Sequence, residues 1–116
     1  MKKINIIKSN DEYNRIIKNI KPYKFMDYII YLEKVNTGNY YFGFSIGKKI
    51  GNAVTRNKIK RQIKNIIDEK NYQNNFNCII MVGKGILNKT FQERRTNLLE
   101  AINKLDIIKG EQNEKQ

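Results

Sequence analysis

Residues 40–67, YYFGFSIGKKIGNAVTRNKIKRQIKNII, run from a strand pattern through a loop into a helix pattern. Aromatic residues dominate residues 40–46 and predict a strand. The loop that follows lies between two glycines and carries Lys48 and Lys49. Apolar side chains then recur at helical spacing and predict a helix over about 53–72; they are Ile59, Ile63, Ile66 and Ile67.

A short helix is predicted ahead of this stretch. Ser9 and Glu12 have the spacing of a capping box, in which each side chain satisfies a free backbone N–H group at the start of a helix. Pro22 ends the helix, because proline disfavours helical geometry in the residue before it. The apolar stripe between these points has the spacing of one helix face and consists of Tyr13, Ile16, Ile17 and Ile20.

A second strand is predicted between this helix and the strand at residues 40–46. Residues 25–33 are rich in aromatic and β-branched side chains, which favour strands. The segment Asn-Thr-Gly-Asn at residues 36–39 has the composition of a turn. We therefore expect these two strands to form a hairpin or to lie side by side.

The C-terminal half adds one strand and one helix. Residues 78–82 are entirely apolar, as is typical of a buried strand. Thr90 and Glu93 repeat the capping-box spacing and begin a helix that we expect to continue to about 108. The sequence thus predicts a single α+β domain over residues 1–108, a two-layer sandwich of order α-β-β-α-β-α with a small mixed sheet, and a polar, frayed tail over 109–116.

Composition excludes several kinds of chemistry. The 116 residues include 23 Lys and Arg against 11 Asp and Glu, which gives a net charge of +12. Histidine is absent and Cys78 is the one cysteine, so His-based catalysis, Cys/His pairs and intramolecular disulfides are ruled out. The lone cysteine fits a reducing, cytoplasmic location. No apolar run has the length of a membrane span, and we expect no membrane partner.

The positive charge is concentrated in one part of the chain. Between Glu33 and Asp68 there is no acidic residue. Lys60 and Lys64 are a like-charge pair one helical turn apart, which disfavours the helix unless an anion binds there. The cations of this interval are Lys34, Lys48, Lys49, Arg56, Lys58, Lys60, Arg61 and Lys64. This pattern predicts a surface that binds the phosphates of a nucleic acid, with a solvated helix face as the plainer alternative.

Aromatic residues supply a second candidate surface. They are Tyr13, Tyr28, Tyr31, Tyr40, Tyr41, Phe42 and Phe44. A sheet face that presents tyrosines beside a basic helix can stack the bases of single-stranded RNA, while ordinary core packing is the alternative for each residue. Cys78 lies in an apolar strand without a base to activate it, and is interpreted as an inert core thiol.

Residues 44–61, FSIGKKIGNAVTRNKIKR, resemble the signature of the bacterial ribonuclease P protein subunit. In that family a strand leads through a KK-x-G-x-AV loop into an RNR-x-KR helix. The resemblance covers about residues 4–108. It implies that a partner RNA with bound Mg²⁺ removes the 5′ leader of precursor tRNA and that the protein supplies no catalytic side chain. It also implies a left-handed crossover between parallel strands.

The resemblance also implies site residues and partners. The implied partners are the catalytic RNA subunit and precursor tRNA, with Mg²⁺ held by the RNA and no obligate protein partner. The residues expected to bind the catalytic RNA are Arg56, Asn57, Lys58, Lys60, Arg61 and Lys64. Those expected to bind the leader or the precursor are Tyr13, Ile17, Tyr28, Lys48 and Lys49. No residue is expected to bind a metal ion.

This chain departs from the family pattern at two of these positions. Lys58 replaces the second arginine of the motif and loses bidentate phosphate geometry, and Ile17 stands where an aromatic residue is common. Three other functions stay open. A ribosomal or other structural RNA-binding protein is one, a DNA-binding module is another, and a protein-only nuclease, which would need clustered carboxylates, is the third.

Overall fold

The computed structural model describes residues 4–110. The chain forms three helices and four strands in the order α-β-β-β-α-β-α. These are α1 (Asn10–Asn19), β1 (Tyr23–Phe25), β2 (Tyr28–Lys34), β3 (Tyr40–Ser45), α2 (Ala53–Ile67), β4 (Phe76–Val82) and α3 (Phe91–Lys104). Short 3₁₀ helices follow β3 at Lys48–Ile50 and β4 at Lys84–Asn88. The predicted α+β class with a small mixed sheet is confirmed.

The four strands form one sheet in the order β1-β2-β4-β3. β2 is antiparallel to both β1 and β4, whereas β3 runs parallel to β4. The parallel pair is joined by a crossover that contains α2, and the predicted left hand of that crossover stays a prediction. The other edge of β3 is paired with the N-terminal segment, because the Ile7 N–H donates to the Phe42 carbonyl and the Phe42 N–H donates to the Asn5 carbonyl, both at 2.8 Å.

Two sequence predictions about the strands are wrong. The segment 25–33, predicted as one strand, contains a two-residue turn at Met26 and Asp27 that separates β1 from β2. Met26 has φ of +53°, a backbone conformation that glycine or asparagine usually signals, so the turn has no mark in the sequence. The two strands predicted to be neighbours, now β2 and β3, are separated by β4. This insertion depends on long-range pairing that local turn chemistry does not encode.

The two faces of the sheet have different cores. The larger core lies between the sheet and helices α2 and α3, and Phe42, Phe76 and Ile80 are among its sheet residues. The smaller core lies on the opposite face, where Ile16 of α1 packs against Ile79 and Ile7. α1 therefore covers one face of the sheet with few buried residues, and the basic helix α2 is fixed by the main core on the other.

The helices begin where the caps predict and end earlier than predicted. Ser9 Oγ accepts from the Glu12 N–H, and Thr90 with Glu93 forms a complete capping box. α2 ends at Ile67, since Tyr72 folds back into the core and its hydroxyl donates to the Ile67 carbonyl. α3 ends at Lys104, and the backbone then turns at Asp106, where φ is +60°.

The end of the described chain is tied to the fold. Ile108 pairs with Tyr72, and the Lys109 N–H donates to the Asn71 carbonyl at 2.9 Å. The domain limit at residue 108 and the frayed tail stay predictions, and most of that tail, residues 111–116, lies outside the described residues. None of the helices between residues 4 and 110 has both the length and the apolar character needed to span a bilayer.

Candidate nucleic-acid interface

The loop before α2 is held by buried and capping contacts. Ile50 is buried, and it anchors the short 3₁₀ helix while Lys48 and Lys49 beside it stay exposed. Asn52 caps α2, because its Oδ1 accepts from the Thr55 N–H at 2.9 Å. Arg56 Nε donates to the Gly51 carbonyl at 3.0 Å, so Arg56 also braces the loop.

α2 has a buried side and a cationic side. Its four buried isoleucines face the main core, as predicted from their spacing. The opposite side carries an open groove of about 260 Å³, lined by Asn57, Lys60, Arg61, Lys64 and Asn65. Lys58 does not line this groove. It lies one turn before Gln62, whose Oε1 accepts from Arg94 Nη1 of α3, so Lys58 lies on the flank of α2 nearer to α3.

The carboxylates that form ion pairs do so away from this side of α2. Glu12 and Glu33 pair with Arg15 of α1, and the other pairs are Asp27–Lys89 and Glu69–Arg95. Among residues 4–110, no carboxylate lies within ion-pair distance of the cations of α2 and its loop, namely Lys48, Lys49, Arg56, Lys58, Lys60, Arg61 and Lys64. The positive charge of this surface is therefore not neutralised by the described protein.

A cleft of about 490 Å³ lies beside this surface, between α1 and the edge of β3. Its lining combines apolar, amide and cationic side chains: Ile6, Ile7, Asn10, Tyr13, Asn14, Ile17, Phe44, Ser45, Lys60 and Lys64. The predicted cleft residues Tyr13 and Ile17 lie together in it. Lys60 and Lys64 line both the cleft and the groove on α2, so the two surfaces are continuous.

Tyr13 is half-buried where α1 meets β3. Its hydroxyl is 3.5 Å from the Phe44 carbonyl, to which it donates. Burial raises the pKa of the Tyr13 phenol above its ordinary value of 10, although the bond to Phe44 lowers it. The phenol therefore stays neutral at physiological pH, and the exposed part of its ring is available for stacking.

Tyr28, which was predicted to line the leader cleft, does not do so. Its side chain is fully buried in the main core, on the face of the sheet opposite to Tyr13. Its hydroxyl donates to the Arg94 carbonyl at 2.9 Å, and burial raises the pKa of the phenol further. Strand alternation places Tyr28 on the inner face, where no RNA base reaches it, so that prediction is wrong.

Most of the aromatic residues proposed as a base-stacking surface are core residues. Phe42 and Phe44 are buried, and Tyr40 is half-buried. Their rings pack with those of Tyr72 and Phe76, with centroid distances between 4.9 and 6.4 Å. The structural alternative therefore holds for these aromatic residues.

Cys78 is fully buried, and burial raises the pKa of its thiol. The interpretation of an inert core residue is thus confirmed.

The cleft also contains residues that the sequence analysis missed. Asn10, Asn14 and Ser45 contribute polar groups to it, whereas Lys48 and Lys49 do not line it. The spacing of Asn10, Tyr13, Asn14 and Ile17 at i, i+3, i+4 and i+7 was the available signal, because these positions share one side of a helix. The packing of α1 near the edge of β3 is a tertiary feature and could not be read from that spacing.

Together, the mixed sheet, the parallel crossover through a cationic helix and the adjoining cleft define a small basic α+β protein whose surface suits a polyanion. The family model described as Ribonuclease P matches residues 1–106 of this chain. The chain therefore belongs to the bacterial ribonuclease P protein family.

Individual relatives agree with this family. The ribonuclease P protein component of Mesoplasma florum is 46% identical over 70 residues, which are 60% of this chain and 64% of that protein. The component from Mycoplasma mobile is 35% identical over 106 residues, covering 90% of this chain and 93% of the relative. The RNase P protein of Staphylococcus aureus has a similar solved structure, with a TM-score of 0.78, 25% identity and coverage of 90% and 98% of the two chains.

The chain is thus a protein component of ribonuclease P, an endoribonuclease ribonucleoprotein that acts in tRNA processing.

Proposed function

We propose that this protein binds the RNA subunit of ribonuclease P through the cationic side of α2 and holds the 5′ leader of precursor tRNA in the adjoining cleft. The RNA subunit then carries out the Mg²⁺-dependent cleavage that yields the mature 5′ end. The observation that carries this proposal is the set of α2 cations without any carboxylate partner in the described residues. A solvated helix face would mix charges of both signs.

The groove on α2 has the groups needed to bind a folded RNA. The Arg61 guanidinium can donate two parallel hydrogen bonds to one phosphate, and Lys64 adds a point charge one turn away. The Asn57 carboxamide, exposed in the same groove, can bond a base edge or a ribose 2′-hydroxyl. Arg56 has its Nε committed to the Gly51 carbonyl, so it offers only its terminal nitrogens to RNA.

The cleft suits a single strand rather than a duplex. Tyr13 supplies a ring for one base, and Ile17 beside it supplies an apolar contact without stacking. Lys60 and Lys64 lie across from α1 and can bind the phosphates of the same strand. We therefore assign Lys60 and Lys64 to the boundary between leader and catalytic RNA, and place Lys48 and Lys49 with the RNA subunit rather than in the cleft.

Mg²⁺ is assigned to the RNA subunit. Within residues 4–110 no group of three or more His, Cys, Asp or Glu side chains is arranged to hold a metal ion. The protein's contribution is then to bind and orient two RNAs, and its partners are the catalytic RNA and precursor tRNA. The single, buried thiol at Cys78 is consistent with the cytoplasmic location that we propose.

The test is cleavage of a precursor tRNA by the ribonuclease P RNA of the source organism at low Mg²⁺, with and without this protein. We expect strong stimulation by the protein and no cleavage by the protein alone. Arg61→Ala should reduce the stimulation at limiting protein. Lys24→Ala, which removes the same charge from an exposed position on β1 at the opposite sheet edge, should not. A folded protein that gives no stimulation would instead support a structural RNA-binding role.

A further inference from the structure

Gly43 lies at the centre of β3, where a side chain would face α1. Its neighbours Phe42 and Phe44 point into the main core, and Tyr41 packs on the opposite face of the sheet, in the small core with α1. Alternation along the strand places position 43 on the same face as Tyr41. β3 thus presents bare backbone to α1 at this one point.

The Tyr13 ring occupies the space that a side chain at position 43 would need. A Cβ atom at Gly43 would lie 2.5 Å from the Tyr13 hydroxyl oxygen, 2.6 Å from its Cζ and 3.0 Å from its Cε1. These distances are far below van der Waals contact, so even a methyl group and the observed Tyr13 position are incompatible.

Neither β3 nor α1 is free to move apart and relieve such a clash. β3 is paired with β4 on one side and with the N-terminal segment on the other. α1 is fixed by the fully buried Ile16 and by the ion pair of Arg15 with Glu33. The ring of Tyr13 would therefore have to rotate, and it would leave its place in the wall of the cleft.

We propose that Gly43 is a positioning residue for leader binding: it leaves the space in which the Tyr13 ring lies against β3 and faces the cleft. This inference rests on the proposed function, because it assumes that Tyr13 contacts the leader. It assigns to the glycine of β3 a role in precursor binding, although Gly43 itself does not touch the leader.

The test is a double-mutant cycle on the ribonucleoprotein assembled with the ribonuclease P RNA. The measured quantity is the ratio of the affinities for precursor tRNA and for mature tRNA, which isolates the leader contribution. Tyr13→Ala should lower this ratio about tenfold, as expected for loss of one base-stacking contact. Gly43→Ala alone should lower it by a similar factor. In the Tyr13→Ala background Gly43→Ala should have no further effect, because the ring is gone.

Two controls separate positioning from loss of structure. Affinity for the catalytic RNA, which depends on α2, should be unchanged in every variant. Gly83→Ala is the matched glycine control, since a Cβ there would meet its nearest atom at 3.9 Å, an ordinary contact. It should leave the affinity ratio unchanged. If Gly43→Ala alone does not fold, a folded double variant that behaves like Tyr13→Ala supports the proposal.

The remaining outcomes contradict it in distinguishable ways. A Tyr13→Ala effect without a Gly43→Ala effect overturns the role of Gly43 and leaves the proposed function intact. Equal losses from Gly43→Ala in both backgrounds overturn it as well, since the loss would not pass through Tyr13. If Tyr13→Ala leaves the ratio unchanged, the leader part of the proposed function and this inference both fail.

Discussion

Arg15 on α1 and Arg61 on α2 are both exposed helix residues, but their surroundings differ. Arg15 contacts two carboxylates, those of Glu12 and Glu33, and Asn77 bonds Glu33 in turn. Arg61 has no carboxylate within ion-pair distance among the described residues. The first arginine joins α1 to the sheet, whereas the charge of the second is left for a partner.

This difference separates two uses of positive charge in one small domain. Where acids are present, cations tie elements of the fold together, as Arg95 and Glu69 do between α3 and the end of α2. Where acids are absent, the like charges repel and favour an anionic partner. A lysine-rich composition alone does not make this distinction, because it depends on where the carboxylates lie.

The largest effect is expected from the double variant Arg61→Ala/Lys64→Ala. Each lost contact between a charged group and phosphate should cost about 1.5–3 kcal/mol of binding free energy. The slope of log affinity against log salt should decrease by about two contacts. Titration of the labelled ribonuclease P RNA with protein at several salt concentrations measures both quantities.

Arg15→Ala is the control for this comparison. It also removes one positive charge, but it leaves α2 intact, so affinity for the catalytic RNA and its salt slope should stay close to the wild-type values. An equal loss of RNA affinity in Arg15→Ala and in Arg61→Ala would mean that only total charge matters. The distinction between the two regions would then be wrong.

A smaller effect is expected from Tyr28→Phe. The variant removes the hydrogen bond to the Arg94 carbonyl inside the core and should lower the free energy of unfolding by about 1 kcal/mol. Leader-dependent affinity should not change, because Tyr28 is fully buried. Urea denaturation and precursor binding measure the two effects separately. A loss of leader affinity at unchanged stability would restore Tyr28 to the cleft.

The smallest effect concerns the pH dependence of the link between α1 and the sheet. The hydrogen bond from Arg15 holds the pKa of Glu33 below its ordinary value of 4.5. Because the folded-state pKa is depressed, this contribution to stability is present above pH 4.5 and is lost as the pH falls through the folded-state pKa. Glu33→Gln should therefore flatten the acid limb of a thermal-stability curve, while Glu93→Gln, at the start of α3, should leave the Arg15 contribution in place.

Local signals in the sequence predicted the helices and the identity of the basic surface. The capping residues Ser9 and Thr90 fixed two helix starts, since caps act within one turn of the chain. The absence of acids between Glu33 and Asp68 marked the unneutralised surface before any coordinates were considered.

Features set by long-range packing could not be predicted in the same way. The insertion of β4 between β2 and β3 joins segments that are distant in the chain, and the burial of Tyr28 follows from which face of β2 meets the main core. Likewise, the sequence assigned Lys60 and Lys64 only to the catalytic RNA, because it cannot show that this flank of α2 meets the cleft at the β3 edge.

The most direct test of the two-surface account is crosslinking from single introduced thiols in the assembled ribonucleoprotein with precursor tRNA. Asn57→Cys places a probe in the groove of α2, and Asn14→Cys places one in the cleft, while Cys78 is buried and should not react. We expect the probe at position 57 to link to the ribonuclease P RNA and the probe at position 14 to link to the 5′ leader. Links from both positions to the same RNA, or a probe at position 14 that links equally well to leaderless tRNA, would contradict the account.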